Sequence, residues 1–410
     1  MKRTLDKEKS KIILLEDVHK NAEVYFREKG YKNVTSYKNS FTGVKLQKQL
    51  NGANIIGIRS QTQLTKRVIT ASENLVAIGA FCIGTNQIDL QTAKLRGIPV
   101  FNAPLSNTRS VAELVIAEII MLMRGVPQKN FQVHNGIWEK DTNNSHEVRG
   151  KTLGIIGYGH IGSQVSILAE SLGMKVYYFD FVDKLSIGNA TSCETLNELL
   201  KVSDVVTVHV PAISQTKNML ARREFKKMKS GSFLINASRG EVVIIKDLVE
   251  ALQKRKLLGA AIDVYPVEPA VSSAIFKSSL QKFPNVILTP HIGGSTQEAQ
   301  ENIALEVADK LVRYNEAGDT FTSVNFPRVQ LMSHKGKRRF MHIHKNTPGV
   351  LREVNNCFTS RKIEISAQFF QTDTDIGYMV VDITNGRVDA WRILEDLKKI
   401  PGTIKTRFLY

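Results

Sequence analysis

The chain has 410 residues, of which 42% are hydrophobic and 23% charged, a composition typical of a globular protein with roughly two or three domains. It contains no apolar stretch long enough to cross a membrane, and its first residues lack the apolar core of a signal peptide. These features exclude a membrane protein and predict a cytoplasmic one. The widely spaced Cys82, Cys193 and Cys357 offer no metal-ligand spacing, so neither a metal site nor a disulfide is expected.

The net charge of +17 is spread along the chain. The first 50 residues carry 12 Lys and Arg against 6 Asp and Glu, and the last 80 carry 14 against 8. The one dense run, from Lys335 to Arg339, has no aromatic ladder or recognition motif beside it, so a solvated linker or the start of a strand explains it better than a nucleic-acid patch. We expect no nucleic-acid partner, and the cause of the high charge stays open.

The first 105 residues alternate apolar runs of strand length with segments of helical pattern. The apolar runs begin at Ile12, Ile55, Leu75 and Ile98, and two of the helical segments span Lys20 to Lys29 and Thr65 to Ser72. This alternation predicts a flavodoxin-like domain of α/β class with a parallel sheet.

Two helices mark the limits of a second domain. One is predicted from Ser110 to Met123 and would join the domains, and another, from Gln297 to Tyr314, could run back to the first domain. We therefore expect a discontinuous substrate domain of residues 1–106 and 295–330, interrupted by a domain of residues 107–294.

The interrupting domain carries the pattern G-x-G-x-x-G at Gly157, Gly159 and Gly162. It follows an apolar run at residues 151–156 and opens a segment of helical pattern from Ile161 to Leu172. Glycines at these positions permit a tight turn, the close approach of a pyrophosphate and the packing of the helix on the strand. The helix N-terminus would offer free N–H groups to the phosphates.

Asp180 ends the next apolar run, about 20 residues after the glycines, where a Rossmann unit places the carboxylate that binds ribose. This carboxylate can accept hydrogen bonds from both ribose hydroxyls of NAD but would repel the additional phosphate of NADP. The pattern predicts a Rossmann-type domain that binds NAD. The alternative is an ordinary helix N-terminal turn followed by an Asp that faces water.

Arg239, Glu268 and His291 each follow a short apolar run downstream of this loop. Oxidising a secondary alcohol needs a base that takes the hydroxyl proton while hydride leaves, and an imidazole such as that of His291 can act in both directions. A neighbouring carboxylate, for which Glu268 is the candidate, would orient the ring and favour its protonated form. Each residue alone could be ordinary: a capping Arg, a loop Glu, a His satisfied by the backbone. Together they predict a catalytic set.

The pattern changes from about residue 339 onward. Strand and helix signals follow in the order βαββαβ to the end of the chain, which is typical of a ferredoxin-like domain. Residues 339–410 hold no catalytic set, so we expect a regulatory or assembly role for them.

Several segments together resemble the bacterial D-3-phosphoglycerate dehydrogenases, a branch of the D-2-hydroxyacid dehydrogenase family. The segments are residues 55–60, 79–86, 157–162, 235–240, 261–264, 268–269 and 289–296. The resemblance covers essentially the whole chain, and His344 to Leu351 resembles the ACT domain of the serine-inhibited members. It implies NAD-dependent oxidation of 3-phospho-D-glycerate to 3-phosphohydroxypyruvate, the first step of L-serine biosynthesis, in an allosteric homotetramer.

The resemblance also implies roles for individual residues. Arg239 would hold the substrate carboxylate and polarise the C2 oxygen, and Asp263 would contact the nicotinamide carboxamide. Further cofactor contacts are implied for His160, Ile161, Ala237, Ser238, Arg239, His291, Ile292, Gly293 and Gly294. Substrate contacts are implied for Arg59, Ser60, Asn107 and Lys140.

The sequence departs from the family at two positions. Gln61 stands where a second Arg is often found, so one charge that pairs with the substrate phosphate is missing. His344 and Asn346 match residues that hold the effector serine, but Glu364 stands where the opposite side of that site normally presents an Asn. An ionised Glu only accepts hydrogen bonds and adds negative charge, which predicts weaker serine inhibition. The alternative is that Glu364 is a solvated strand residue and that His344 and Asn346 shape a turn.

Two other functions stay open at this stage. Because the catalytic set and the glycine loop are shared across the family, the chain could act on another D-2-hydroxy acid. It could also be an NAD-sensing binding protein, although an intact catalytic set argues against that. The favoured direction, the use of 2-oxoglutarate and the effect of Gln61 on affinity are not determined by the sequence.

Overall fold

The computed structural model describes residues 7–269, 274–332, 338–384 and 389–409. These form two compact units, one made of the chain up to residue 106 and from residue 300 onward, the other of residues 107–299. Among the described residues, no helix combines the length and the apolar character that crossing a membrane requires.

The first unit begins with five parallel strands. They are β1 (Ile12–Leu14), β2 (Val34–Ser36), β3 (Ile55–Ile58), β4 (Ala77–Ala80) and β5 (Val100–Asn102). The helices between them are α1 (Lys20–Glu28), α2 (Gly43–Leu50), α3 (Lys66–Ala71) and α4 (Leu90–Leu95). The strand order β2-β1-β3-β4-β5 is that of flavodoxin, which confirms the predicted fold.

The sequence prediction missed β2 and α2 and began β4 too early. Leu75 and Val76 are buried but precede the strand, which takes in Gly79 and Ala80 instead. An apolar run reports burial, and buried residues extend beyond those that pair with a neighbouring strand.

The second unit holds a seven-stranded parallel sheet. Its elements are α5 (Thr108–Arg124), α6 (Val126–His134), β6 (Thr152–Ile156), α7 (His160–Ser171), β7 (Lys175–Phe179), β8 (Thr191–Ser192), α8 (Leu196–Val202), β9 (Val205–Val208), α9 (Arg222–Lys227), β10 (Ser232–Asn236), α10 (Ile245–Gln253), β11 (Leu257–Ile262) and β12 (Val286–Leu288). The order β12-β11-β10-β9-β6-β7-β8 places β6, which precedes the glycine loop, between β9 and β7. This is the predicted doubly wound arrangement, with the carboxyl ends of its parallel strands at one edge.

The chain continues through α11 (Gln297–Ala317) into an antiparallel sheet. Its elements are β13 (Arg338–Lys345), α12 (Val350–Thr359), β14 (Ile365–Thr372), β15 (Ile376–Ile383), α13 (Ala390–Lys399) and β16 (Thr403–Leu409). The strand order β14-β15-β13-β16 and the element order βαββαβ confirm the ferredoxin-like prediction.

Both faces of the inner strand β15 of this terminal sheet are covered. Side chains alternate between the faces of a strand, so Met379 and Val381 pack with α12 and α13, whereas Tyr378 and Val380 share a core with β1, α1 and α11. That shared core includes Leu14, Phe26, Leu311, Tyr314 and Met341. The terminal sheet and the first sheet therefore belong to one unit with a common hydrophobic core.

The dense basic run ends inside this unit. Lys335, Gly336 and Lys337 lie outside the described residues. Arg339 is only 3% exposed and donates to Asp382 on the neighbouring strand, so at this position the expectation of a solvated linker is wrong and the start of a strand is right. A guanidinium can be buried in this way because a carboxylate accepts both of its parallel N–H groups.

Candidate active site

Glu268 and His291 form the centre of the candidate site in the second unit. His291 Nδ1 lies 2.8 Å from Glu268 Oε2. The hydrogen bond to Glu268 raises the pKa of His291 against the opposing effect of burial. Burial would raise the pKa of Glu268, but the hydrogen bond and charge of His291 lower it. The pair therefore favours ionised Glu268 beside an imidazole that readily holds a proton.

The backbone at His291 is in the left-handed region, with φ at 55°. Such a conformation costs about 1–3 kcal/mol and persists only where surrounding contacts impose it. Here the His291 N–H donates to the Asp263 carbonyl oxygen at 2.8 Å, and the next two N–H groups, of Ile292 and Gly293, donate to the two Asp263 carboxylate oxygens at 2.8 Å. The turn at residues 289–293 thus aims the imidazole.

Asp263 is the support of that turn. Its side chain is 1% exposed, and Thr289 Oγ1 also donates to its Oδ1 at 2.6 Å. Three donors within the turn occupy the carboxylate. The resemblance assigns Asp263 to the nicotinamide carboxamide, and the geometry gives it an additional structural task.

Arg239 follows β10 and lies close enough to act electrostatically on both members of the pair. Its charge lowers the pKa of Glu268 and of His291. Asn236 Nδ2 donates to the Arg239 carbonyl oxygen at 3.0 Å, and Ser238 donates from N and Oγ to Asn236 Oδ1. This network fixes the turn that presents the guanidinium. The structure therefore brings the three predicted catalytic residues together.

The glycine loop between β6 and α7 has the geometry that each glycine was predicted to need. Gly157 has φ at 92°, and a Cβ there would lie 2.4 Å from the His209 carbonyl oxygen. A Cβ on Gly162 would lie 2.1 Å from the Gly157 carbonyl oxygen, so the helix can pack here only without a side chain. A Cβ on Gly159 would meet no atom of the described residues within 4 Å. The backbone at Gly159 is therefore open to a phosphate at the start of α7.

Asp180 follows β7, next to this loop. Its Oδ2 accepts the Tyr158 N–H at 2.8 Å, and its Oδ1 accepts the Val182 N–H at 3.1 Å. A carboxylate has about four lone-pair sites, so two remain for ribose hydroxyls. The residue both holds the glycine loop and stays available to a nucleotide.

The other predicted cofactor residues differ in exposure. His160 and Ile292 are exposed, Ser238 and Gly293 are buried, and Ile161, Ala237 and Gly294 are intermediate. Those of them that follow β6, β10 and β12 lie at the carboxyl edge of the sheet, where open parallel sheets bind ligands.

The four predicted substrate residues are divided between the units. Arg59 and Ser60 follow β3 in the first unit, whereas Asn107, at the start of α5, and the exposed Lys140 belong to the second. Gln61 is exposed, and its N–H donates to Glu16.

The predicted effector residues lie at two ends of the terminal sheet. His344 and Asn346 line a pocket of about 470 Å³ together with Phe370 and Thr372 at the end of β14. Glu364 immediately precedes the start of that strand and does not line the pocket. At about 3.3 Å per residue, it lies roughly 26 Å along the strand from Thr372. Within one copy of the chain, Glu364 and the residues that line the pocket therefore do not form a single site.

Sequence reasoning missed Glu118, a buried acid on α5. It is 1% exposed, and neither carboxyl oxygen has a hydrogen-bond partner among the residues that the structure describes. Burial, with a contribution from the charge of Asp263, raises its pKa to about 8. The sequence did contain a sign of this residue. Glu118 is a lone carboxylate on the apolar face of the helix, at helical spacing from Val111, Val115 and Leu122, which are buried.

Comparison with known proteins places this site in a family. The family model described as "D-isomer specific 2-hydroxyacid dehydrogenase, NAD binding domain" matches residues 116–293. A second family model, described as "AHAS small subunit-like ACT domain", matches residues 340–405. The chain is 55% identical to D-3-phosphoglycerate dehydrogenase of Escherichia coli (strain K12) over 409 residues, which cover 100% of both chains. It is 54% identical to the enzyme of that name from Haemophilus influenzae, covering 100% of this chain and 99% of the relative.

The chain belongs to the D-3-phosphoglycerate dehydrogenase family. Solved structures show the same fold in its catalytic part. D-lactate dehydrogenase of Aquifex aeolicus, complexed with NAD and lactic acid, is 27% identical with a TM-score of 0.68, covering 77% of this chain and 99% of that one. The predicted family, fold class and NAD-linked dehydrogenase activity are confirmed.

Proposed function

We propose that this protein oxidises 3-phospho-D-glycerate to 3-phosphohydroxypyruvate with NAD, the first step of L-serine biosynthesis. The observation that carries the proposal is the 2.8 Å contact between His291 and Glu268 within a domain of the NAD-binding family. The full-length likeness to D-3-phosphoglycerate dehydrogenases supports the choice of substrate.

The residues present fit NAD. Gly159 is open to a phosphate at the N-terminus of α7, and Asp180 has lone pairs available for the ribose hydroxyls. Bound NAD supplies the nicotinamide ring that accepts the hydride from C2. His160, Ile161, Ala237, Ser238, Ile292, Gly293 and Gly294 would complete its surroundings.

The protein's own residues move the proton. In neutral His291 the Nδ1–H donates to ionised Glu268, which leaves Nε2 free to take the proton of the C2 hydroxyl. The carboxylate then stabilises the imidazolium that forms, and in the reverse direction Nε2 returns the proton to the C2 oxygen. Glu268 therefore acts by orienting the ring and favouring its charged form.

The ends of the substrate would be held by cations and amides. Arg239 would bind the substrate carboxylate and polarise the C2 oxygen, since a guanidinium matches a carboxylate with two parallel hydrogen bonds. Arg59, Ser60, Asn107 and Lys140 would hold the remaining groups, including the phosphate.

One assay tests this function. We expect NADH to form with 3-phospho-D-glycerate at a kcat/KM at least about a hundredfold above that for D-lactate, because a phosphate pairs with several charge-assisted donors. His291→Ala should lose at least about a hundredfold in turnover, the range for a missing general base, while still binding NADH. Preference for D-lactate would instead indicate a dehydrogenase for another D-2-hydroxy acid. No turnover with any hydroxy acid would favour an NAD-sensing protein.

We further propose a cytoplasmic homotetramer regulated by L-serine. The edge strand β14 is largely exposed, and antiparallel pairing of two such strands about a twofold axis would bring Glu364 of one copy towards the His344 and Asn346 pocket of the other. In the described part of the chain, Cys82, Cys193 and Cys357 form no disulfide, which suits a reducing compartment. Light scattering that gives a monomer mass would contradict this assembly.

A further inference from the structure

Two loops meet at the carboxyl ends of β1 and β3 in the first unit. From β1 the chain leaves towards β2 on one side of the sheet, whereas β3 continues towards β4 on the other. In open α/β sheets, ligands bind in the crevice that such a reversal of strand order creates. Glu16 lies just after β1, and Arg59, Ser60, Gln61 and Thr62 follow β3.

The carboxylate of Glu16 binds the backbone of the second loop. Its Oε2 accepts the Gln61 N–H at 2.8 Å and its Oε1 accepts the Thr62 N–H at 2.7 Å. The residue is 7% exposed, so water competes little for these two bonds. Both oxygens of one buried side chain therefore fix the loop just after Arg59 and Ser60.

Arg59 is held from two further directions. Its Nη1 donates to the Glu16 carbonyl oxygen at 3.4 Å, and its own carbonyl oxygen accepts from Gln87 Nε2 at 2.6 Å. The main chain and the side chain of Glu16 thus act on the same short segment. Any movement of Glu16 would be passed to the guanidinium.

Glu16 reaches this position through an unfavourable backbone. Its φ is 67° and that of the next residue, Asp17, is 54°, so two consecutive non-glycine residues are left-handed. Glu is not among the residues enriched in that region, and such strain clusters at functional sites. The conformation turns the carboxylate across to the loop after β3.

We propose that Glu16 is a positioning residue for the phosphate end of the substrate, and this inference rests on the proposed function. Free N–H groups in a turn form a natural anion site. By occupying those of Gln61 and Thr62, Glu16 keeps the backbone from binding the phosphate and leaves it to the side chains of Arg59 and Ser60. It also fixes the direction in which Arg59 points.

The test compares Glu16→Gln with Asp17→Asn. Gln presents one oxygen and one NH2 group, so one of the two loop bonds is lost and two donors face each other. Asp17→Asn is the matched control. Asp17 also has a left-handed backbone, and its substitution removes the same charge, but its side chain is exposed. Reduction of 3-phosphohydroxypyruvate is measured beside reduction of hydroxypyruvate, which lacks the phosphate.

We expect Glu16→Gln to raise the KM for 3-phosphohydroxypyruvate about tenfold or more, the range for a charge-assisted contact. Its kcat, its KM for hydroxypyruvate and its Kd for NADH should change less than about threefold, and Asp17→Asn should match the wild type. If Glu16→Gln fails to fold, Glu16→Gly serves instead, because it removes the carboxylate while relieving the strained backbone.

Other outcomes overturn the inference. Equal losses with both substrates, together with a lower melting temperature, would show that Glu16 only stabilises the fold. The same loss in Asp17→Asn would show a general charge effect. If the wild type prefers hydroxypyruvate, the proposed function is overturned as well. If the wild type and Glu16→Gln show the same preference for the phosphorylated substrate, only this inference is overturned.

Discussion

Arg339 and Asp382 face each other across β13 and β15 and form two parallel hydrogen bonds, Nε to Oδ1 at 2.6 Å and Nη2 to Oδ2 at 2.7 Å. Both residues are 3% exposed. Arg339 also donates to the carbonyl oxygens of Ala317 and Met332, so it links the terminal sheet to the segments that precede it.

Removing one partner of this pair should be costly. Asp382→Ala leaves a buried guanidinium without its carboxylate, and we expect a loss of about 3–5 kcal/mol in the free energy of unfolding. Replacing both residues, as Arg339→Met with Asp382→Leu, should lower the free energy of unfolding by less, because no charge stays buried. Urea denaturation measures both, with Glu395→Ala, from an exposed ion pair with Lys398, as a control expected to change stability by less than about 1 kcal/mol. A double variant as unstable as Asp382→Ala would contradict this account.

The pH profile should report the contact between Glu268 and His291. Oxidation needs an unprotonated His291, so activity rises with pH through the pKa of that residue, which Glu268 raises. Glu268→Gln removes the carboxylate, and the rise should therefore begin at lower pH, with a smaller maximum. We expect this in kcat/KM for oxidation measured from about pH 5 to about pH 9, the range in which His titrates. An unchanged inflection would show that the profile belongs to another group.

Asp180 should determine the choice between NAD and NADP. Asp180→Ala removes the acceptor for the ribose hydroxyls and the bond to Tyr158 in the glycine loop, and we expect the KM for NAD to rise at least about tenfold. The KM for NADP should change much less, because the repelling charge is gone. Steady-state kinetics with both cofactors measure this, with the exposed Asp183→Ala as control. A wild type that uses both equally would refute the assignment.

Glu118 should weaken the fold as the pH rises. Its pKa is about 8 in the folded protein against an ordinary value of 4.5, so the folded state binds the extra proton between these values. Stability therefore falls as pH rises through this window, by up to about 5 kcal/mol. Glu118→Gln cannot ionise, so it should be more stable than the wild type at pH 8 and nearly equal at pH 4.5. Parallel stability curves across this window would rule out a buried, protonated Glu118.

The response to serine should depend on Glu364. Burial lowers the pKa of His344 to about 4, so this pocket residue is neutral and cannot offset the charge of Glu364. We expect L-serine to inhibit weakly or not at all, and Glu364→Asn to strengthen inhibition, because an amide both donates and accepts. Serine titrations of both proteins measure this. Tight inhibition of the wild type that is lost in Glu364→Asn would show that Glu364 is itself a good ligand.

The sequence predicted those parts of the site whose determinants are local. The glycine loop, Asp180 and the order of Arg239, Glu268 and His291 each depend on a short motif at a strand end, and parallel strands bring their carboxyl ends to one edge. The topology of the parallel sheet is then enough to bring these residues together. This is why the fold class and the grouping of the three residues could be anticipated.

Other features depend on contacts between distant segments and had no local signal. The bonds from Glu16 to residues 61 and 62 need both the strand order and a left-handed Glu, which propensity disfavours. The use of Asp263 to hold a turn follows from the strained φ of His291 rather than from any motif. The sequence also did not show that the two sheets of the first unit share a core. Apolar residues on both faces of a strand indicate that both faces are buried, but not which segment of the chain covers each face.

That shared core also bears on the order in which the chain can fold during synthesis. Residues 107–299 form a unit that is continuous in sequence, whereas the core around Leu14 and Phe26 includes Tyr314 and Tyr378, which follow that unit in the chain. A nascent chain emerges from the ribosome with its N-terminus first. The middle of this protein can therefore become protease-resistant while the first hundred residues still lack the later segments that complete their core. Protease digestion of ribosome-arrested chains should show this order, and early protection of the N-terminal segment would contradict it.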